Sequence, residues 1–182
     1  MYLKKSSLKI SLDLDDTIFS FMDHYVSKFG KPKSDIEITK NVNTILKKDH
    51  NFWLSQPIIS FPNFIPHMYC TARIISKYLI KKQLIINNLP KAPIYQIKGY
   101  GFSKFNKVRM GGCDLHIDDS LSVFFDLNLK GFPCLLYTNN GNLSWGDVGR
   151  IHTLNLDEIE LAYNNILKIN FKELYNDYRR LF

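Results

Sequence analysis

Short apolar, β-prone runs recur along this chain at positions 8–14, 67–70, 94–100, 114–117 and 133–138, with helical periodicity between most of them. Strands that alternate with helices predict a parallel α/β sheet. From Ile75 onward, Tyr78, Leu79, Ile85, Ile86 and Leu89 fall on one helical face, Lys77 and Lys81 fall elsewhere, and Pro90 closes the segment. Leu121, Phe124 and Phe125 start another helix, which Gly131 ends. Asn155 and Glu158 have the spacing of a capping box ahead of Ile159, Ala162, Tyr163 and Ile166.

One interval breaks the alternation. A simple crossover between the first two strands needs far fewer residues than positions 18–65 provide, so something is inserted there. Phe19, Met22, Tyr25, Val26 and Phe29 have helical spacing, with Gly30 and Pro32 as stop signals, and Ser34 and Glu37 form a second capping box before a further helical stretch. Two or three short helices would make a small cap. The cap leaves the sheet where the chain first becomes acidic, so it should overhang the carboxyl ends of the strands, where open α/β sheets place their ligands. The expected architecture is therefore α/β: a Rossmann-like three-layer fold with a central parallel sheet. Its core runs over 1–17 and 65–182, and the helical cap is inserted after the first strand at 18–64.

Composition narrows this picture modestly. A chain of 182 residues with 45% apolar content suits one domain with a real core and is not that of a disordered protein. A net charge of +7 favours an anionic partner: a phosphorylated metabolite, a nucleotide or a nucleic-acid backbone. Cys70, Cys113 and Cys134 are odd in number and widely spaced, which signals neither a disulfide framework nor a zinc site. Lys4 and Lys5 are followed by a strand-like run and not by a secretion signal, and no stretch approaches the roughly 18 apolar residues of a membrane span. A cytoplasmic protein with no membrane partner is the expectation; a homodimer is compatible with it.

The chemistry concentrates in carboxylates. Asp13, Asp15 and Asp16 follow the first apolar run, and in an extended chain Asp13 and Asp15 point to the same side, offering oxygen ligands to a hard divalent cation, for which Mg2+ is the natural candidate. Asp118 and Asp119 follow another apolar run, which suggests one shared acidic site. A calcium loop of the helix-loop-helix kind fails on position: its glycine would fall at Ile18 and its glutamate at His24. Asp118-Asp119-Ser120 also suits a plain strand-to-helix turn. After the run at 67–70, Thr71 is read as standing at a helix start, where its hydroxyl and nearby N–H groups can bind phosphoryl oxygens; the alternative is a simple helix cap.

In order, Asp13-Leu14-Asp15-Asp16-Thr17, Thr71, a lysine, and Asp118-Asp119 resemble the four motifs of the haloacid dehalogenase superfamily of phosphatases. The resemblance implies that Asp13 attacks phosphorus to give an aspartyl-phosphate and that Asp15 serves as general acid and base. It implies a Mg2+ held by Asp13, the backbone carbonyl of Asp15, and Asp118, with Asp119 as a water-mediated ligand or orienter. It also requires one lysine to neutralise the phosphorylated aspartate. Lys98, Lys104 and Lys107 are the candidates; Lys104 is preferred, at the start of an expected helix and fourteen residues before Asp118, with Lys107 its close competitor.

Within that superfamily the details resemble the 5'(3')-deoxyribonucleotidases and their phage relatives. Tyr69-Cys70-Thr71-Ala72 is similar to their second motif, and 51–57, with Phe52 and Trp53, to the aromatic segment that closes their cap. Phe21 matches an aromatic that packs on the base. The chain departs from the family at Asp16, where Gly is common, and at Arg73, where Pro is frequent. The implied substrate-binding set is Thr71, Ala72, Arg73, Phe21 and Trp53, although Phe19, Phe21, Phe52 and Trp53 can equally hold the cap together. Arg73 would assist the phosphate or lie on the surface. The five histidines have no metal-ligand spacing and read as structural. The implied activity is hydrolysis of a nucleoside monophosphate; a polynucleotide 3'-end phosphatase and a non-catalytic nucleotide-binding protein are the alternatives.

Overall fold

The computed structural model describes residues 3–97 and 102–181. Six strands, β1 (Ile10–Leu12), β2 (Met68–Thr71), β3 (Ile94–Gln96), β4 (Leu115–Asp118), β5 (Cys134–Tyr137) and β6 (Arg150–Ile151), form one all-parallel sheet in the order β3-β2-β1-β4-β5-β6. Helices flank it in a Rossmann-like three-layer arrangement. These are α1 (Phe21–Phe29), α2 (Asp35–Thr44), α3 (His50–Leu54), α4 (Lys77–Ile86), α5 (Phe102–Met110), α6 (Leu121–Leu129), α7 (Leu156–Ile166) and α8 (Phe171–Leu181). Every residue of β1, β2, β4 and β5 is buried, which is why those strands read as apolar runs and not as alternating patterns.

The strand order positions the site. Leu12 pairs with Tyr69 on one side and Ile117 on the other, so the residues that follow, Asp13 and Asp118, end level at the carboxyl edge. The Asp13 N–H donates to the Ile117 carbonyl at 2.9 Å, which fixes that alignment. From β1 the chain runs outward to β2 and β3, then returns to β4 on the other flank. The reversal opens a crevice between β1 and β4, the usual ligand position in such sheets.

Between β1 and β2 lie α1, α2, a 3-10 turn at Leu46–Lys48, and α3. Gly30, at φ 79°, ends α1 as the stop signal requires. The Ser34 hydroxyl accepts from the Glu37 N–H at 3.4 Å, while the Glu37 carboxylate takes the Lys33 N–H at 2.8 Å in place of that of Ser34. Phe21, Tyr25, Phe29, Phe52 and Trp53 form an aromatic cluster that unites α1 with α3. A second cluster, Phe124, Phe125, Trp145, Phe171, Tyr175 and Tyr178, seals α8 onto α6.

Several expectations change. The buried face of α4 is Leu79, Ile80, Gln83 and Leu84, whereas Tyr78, Ile85 and Ile86 are exposed. A polar Gln83 occupies the inner face as a partner of Arg73, so the buried stripe is not the one that the apolar positions predict. The helix also begins at Lys77, capped by the Ser76 hydroxyl at 3.2 Å from the Leu79 N–H, so Thr71 does not stand at a helix start. Asn155 does cap α7, but Glu158 accepts from the His152 and Thr153 N–H groups and not from that of Asn155. The part of the run at 94–100 beyond Ile97 lies outside the described residues. All three cysteines are buried and unpaired. Among the described residues no helix is long and apolar enough to cross a membrane.

Candidate active site

Asp13, Asp118 and Asp119 each present a carboxylate oxygen, and these atoms all lie within 4.8 Å of one another. Lys104, on α5, reaches between two of them: its ammonium is 2.9 Å from Asp13 Oδ1 and hydrogen-bonds Asp118 Oδ2. Lys107, one turn later, is exposed, and Lys98 lies outside the described residues. Asp118 is further held by His116, whose Nε2 is 2.9 Å from Oδ2, and by the Ser120 N–H, 3.0 Å from Oδ1. His116 Nδ1 is 3.2 Å from the Ser11 hydroxyl. Asp119 is oriented from a neighbouring loop, with Asn139 donating to its carboxylate at 2.8 Å and Asn142 to its carbonyl at 2.7 Å.

The cluster is electrostatically unbalanced. Burial, with repulsion from Asp118 and Asp15, outweighs Lys104 and pushes Asp13 up to about 7. Burial and the adjacent Asp118 likewise raise Asp119 well above the ordinary range. Burial acts upward on Asp118 too, but the Lys104 ammonium and the His116 hydrogen bond overcome it and hold that carboxyl low. Asp13 Oδ1 is buried and ion-paired, yet accepts no well-aligned hydrogen bond. Three converging hard oxygens around an under-satisfied buried atom are a donor set that fits a hard divalent cation such as Mg2+.

Asp15 is placed differently from the extended-chain expectation. Its carboxylate turns away from Asp13 to Arg73, whose Nε is 3.0 Å from both oxygens and whose Nη2 is 2.6 Å from Oδ1. It is therefore not one of the three clustered carboxylates. Arg73 is neither on the surface nor free for a phosphate: its side chain is fully buried and also donates to Gln83 and, at 2.8 Å, to Gln56. Phe19 and Trp53 lie on its guanidinium, at 5.1 and 5.2 Å from the ring centroids. One side chain thus joins the strand end, α4 and the inserted segment.

Above the acids is a cleft of about 650 Å³. Asp13, Asp15, Asp16 and Lys104 form its floor, Phe21 and Trp53 one wall, and Ile38, Thr39 and Val42 of α2 the opposing lid. Phe21 stacks on Trp53 at 5.8 Å with a 23° tilt. Trp53 is buried and donates its indole N–H to the Leu46 carbonyl at 2.7 Å, so it also supports the inserted segment. Ala72 and Arg73 line the cleft. Thr71 is not among its lining residues; its hydroxyl accepts the Arg73 N–H at 3.3 Å. Asp16 takes a left-handed conformation, φ 53°, which explains why glycine suits this position. An aspartate tolerates it, and its carboxylate accepts the Met22 N–H at the start of α1 at 3.0 Å.

Sequence reasoning missed His116, Gln56, Gln83, Asn139 and Asn142. His116 had a usable signal: two residues before Asp118 on a strand, it faces the same side. The others are brought in by tertiary packing alone. No family model matches this chain, and no curated protein matches it at a significant level.

Proposed function

We propose that the protein is a Mg2+-dependent phosphomonoester hydrolase of the haloacid dehalogenase type, acting on nucleoside or deoxynucleoside monophosphates through Asp13. The observation that carries this reading is the meeting of Asp13, Asp118, Asp119 and Lys104 at the floor of one cleft. Asp13 Oδ attacks phosphorus, the ester P–O bond breaks, and the departing oxygen takes a proton from Asp15. Water then attacks the aspartyl-phosphate, the bond to Asp13 breaks, and Asp15 recovers a proton as inorganic phosphate leaves. Lys104 offsets negative charge on the Asp13 side of the phosphoryl group. Arg73 orients the Asp15 carboxylate, and this pairing has to open for Asp15 to carry a proton to the departing oxygen. Mg2+, held by Asp13 and Asp118 with Asp119 beside them, would neutralise phosphoryl oxygens.

The walls favour a small ester with a flat, uncharged body. Phe21, Met22, Ile38, Val42 and the buried Trp53 line the cleft, which suits a nucleobase. The only cations lining the cleft among the described residues, Arg73 and Lys104, are already ion-paired. A polynucleotide would find no spare positive charge there, which weighs against end-phosphatase action inside this cleft.

The test is phosphate release by the purified protein from a panel of ribo- and deoxynucleoside monophosphates and an aryl phosphate, with Mg2+ present. Turnover that disappears in Asp13→Asn supports the reading. No release from any of them, or an Asp13→Asn variant with full activity, overturns it. Tight nucleotide binding without turnover would instead make this a binding protein.

A further inference from the structure

The net charge of +7 is not spread over the molecule. Positions 50–113 hold nine of the 24 lysines and arginines and none of the seventeen aspartates and glutamates. The remaining fifteen basic and seventeen acidic residues leave the rest of the chain at −2, so this one segment carries the whole excess. It contains β2, α4, β3 and α5, and β3 is the edge of the sheet. Arg73 and Lys104 are consumed inside the cleft, whereas Lys77, Lys81 and Lys82 of α4 and Lys91, just before β3, are exposed.

Part of the edge is a groove of about 540 Å³, and it shares no lining residue with the cleft. Lys77, Tyr78 and Lys81 of α4 form one rim, Lys91 the other, and Leu84 and Leu89 lie in its floor. None of the three lysines has an acidic partner among the described residues. Tyr78 is 76% exposed, although an aromatic ring is a costly group to leave in water. Tyr95, on β3, is exposed as well, and the Lys77 ammonium sits 6.0 Å from its ring centroid. The unusual outward stripe of α4, Tyr78 with Ile85 and Ile86, therefore runs beside unpaired ammonium groups.

We propose that this groove binds single-stranded nucleic acid, with Lys77, Lys81 and Lys91 on phosphates and Tyr78 stacked on a base. Cations that track a backbone, interleaved with exposed aromatic rings, are the combination by which strands are held without sequence preference. A flat membrane would not follow a concave groove. An acidic peptide would use the lysines but give the tyrosine rings no flat partner. The site is independent of the cleft, with which it shares no lining residue, and stands or falls without regard to whether the cleft hydrolyses nucleotides.

The test is fluorescence anisotropy of a short labelled thymidylate single strand titrated with the whole protein. Three neutralised phosphates on a single strand give a slope of log affinity against log salt of about −2, so binding should weaken about 20-fold between about 50 and 200 mM salt. Lys81→Gln with Lys91→Gln should cut that loss to about threefold. Tyr78→Ala should weaken binding at least about fivefold with the salt slope unchanged. All three positions are surface residues outside the cleft, so circular dichroism and nucleotide turnover should stay as in the parent protein. The proposal is overturned by absence of binding at low salt, by equal affinity for the matching blunt duplex, or by equal affinity for a polyglutamate peptide. It is also overturned if Tyr78→Ala binds as the parent does.

Discussion

Replacing Arg73 by methionine isolates the contribution of its charge. Methionine keeps a long apolar side chain between Phe19 and Trp53, so the loss is chiefly that of the guanidinium and its donors. Those donors serve Asp15 through three contacts, Gln83 through one and Gln56 through one. The two glutamines retain their mutual hydrogen bond of 3.1 Å, and neutral acceptors are worth only about 1 kcal/mol each. The larger part comes from Asp15, whose side chain is 26% exposed and would be left as a half-buried carboxylate without a counter-ion. Breaking a buried pair from one side costs about 3–5 kcal/mol, and partial access to water puts Arg73→Met near the lower figure. For a chain of this size that is a fall in melting temperature of about 6–12 °C, readable by calorimetry and by the urea midpoint. The double variant Arg73→Met with Asp15→Asn should recover at least half of the loss, because the orphaned charge is gone. A single-variant loss below about 1 kcal/mol, or strictly additive losses in the double variant, would refute the argument that the pair acts as a unit.

Three further outcomes follow from the same geometry. Lys104→Met leaves Asp13 and Asp118 as buried neighbours without their cation; phosphate release should fall at least about a hundredfold. Because Lys104 holds Asp118 low, its stabilising contribution is present above the unfolded carboxylate range and lost as pH falls, so the stability gap between Lys104→Met and the parent should close in acid. Mg2+ must displace protons from the raised Asp13, at about 7, and from Asp119, so isothermal titration should show its affinity falling as pH drops below 7, by up to about tenfold per unit for each proton displaced. A pH-independent affinity would mean that neither acid holds the ion. Gly149→Ala sets a side chain at φ 68° and brings a new Cβ to 2.8 Å from both Ile166 Cδ1 and Phe124 Cε2, which should cost about 2–4 kcal/mol. Gly131→Ala, at φ 74° with open space, should cost about 1 kcal/mol, and equal losses in urea denaturation would refute the clash.

What was legible in the sequence was whatever short-range pattern controls. Strands β1, β2, β4 and β5 are buried on both faces and announce themselves as apolar runs, and the long gap before β2 reveals the inserted helices. Strand β6 is two residues beside a glycine, too short to leave a pattern. Helix α8 does leave one, with Phe171, Leu174, Tyr175 and Tyr178 at helical spacing. At Thr71 a hydroxyl after a strand resembles a helix cap, yet the true cap, Ser76, lies five positions further on. The carboxylates were readable because they follow strand ends. Where Asp15 points was not, since its partner lies 58 positions away.

Several polar groups lie in the interior around these carboxylates. Ser11, Gln56, Arg73, Gln83, Lys104 and His116 are all buried, and each is bonded, directly or through one neighbour, to Asp13, Asp15 or Asp118. Burying a hydroxyl, two amides, an imidazole and two cations is unfavourable for a core that needs only to be packed, and apolar side chains of similar volume would serve stability better. Much of the molecule's buried polar inventory meets around β1, β2 and β4, while β5 beside them carries Cys134, Leu135, Leu136 and Tyr137 and no charged residue. A fold concentrates such groups where directional hydrogen bonds must fix the orientation of particular side chains. Here those side chains are the aspartates beneath the cleft, and the pattern of unfavourable burial marks the same place as the acid cluster.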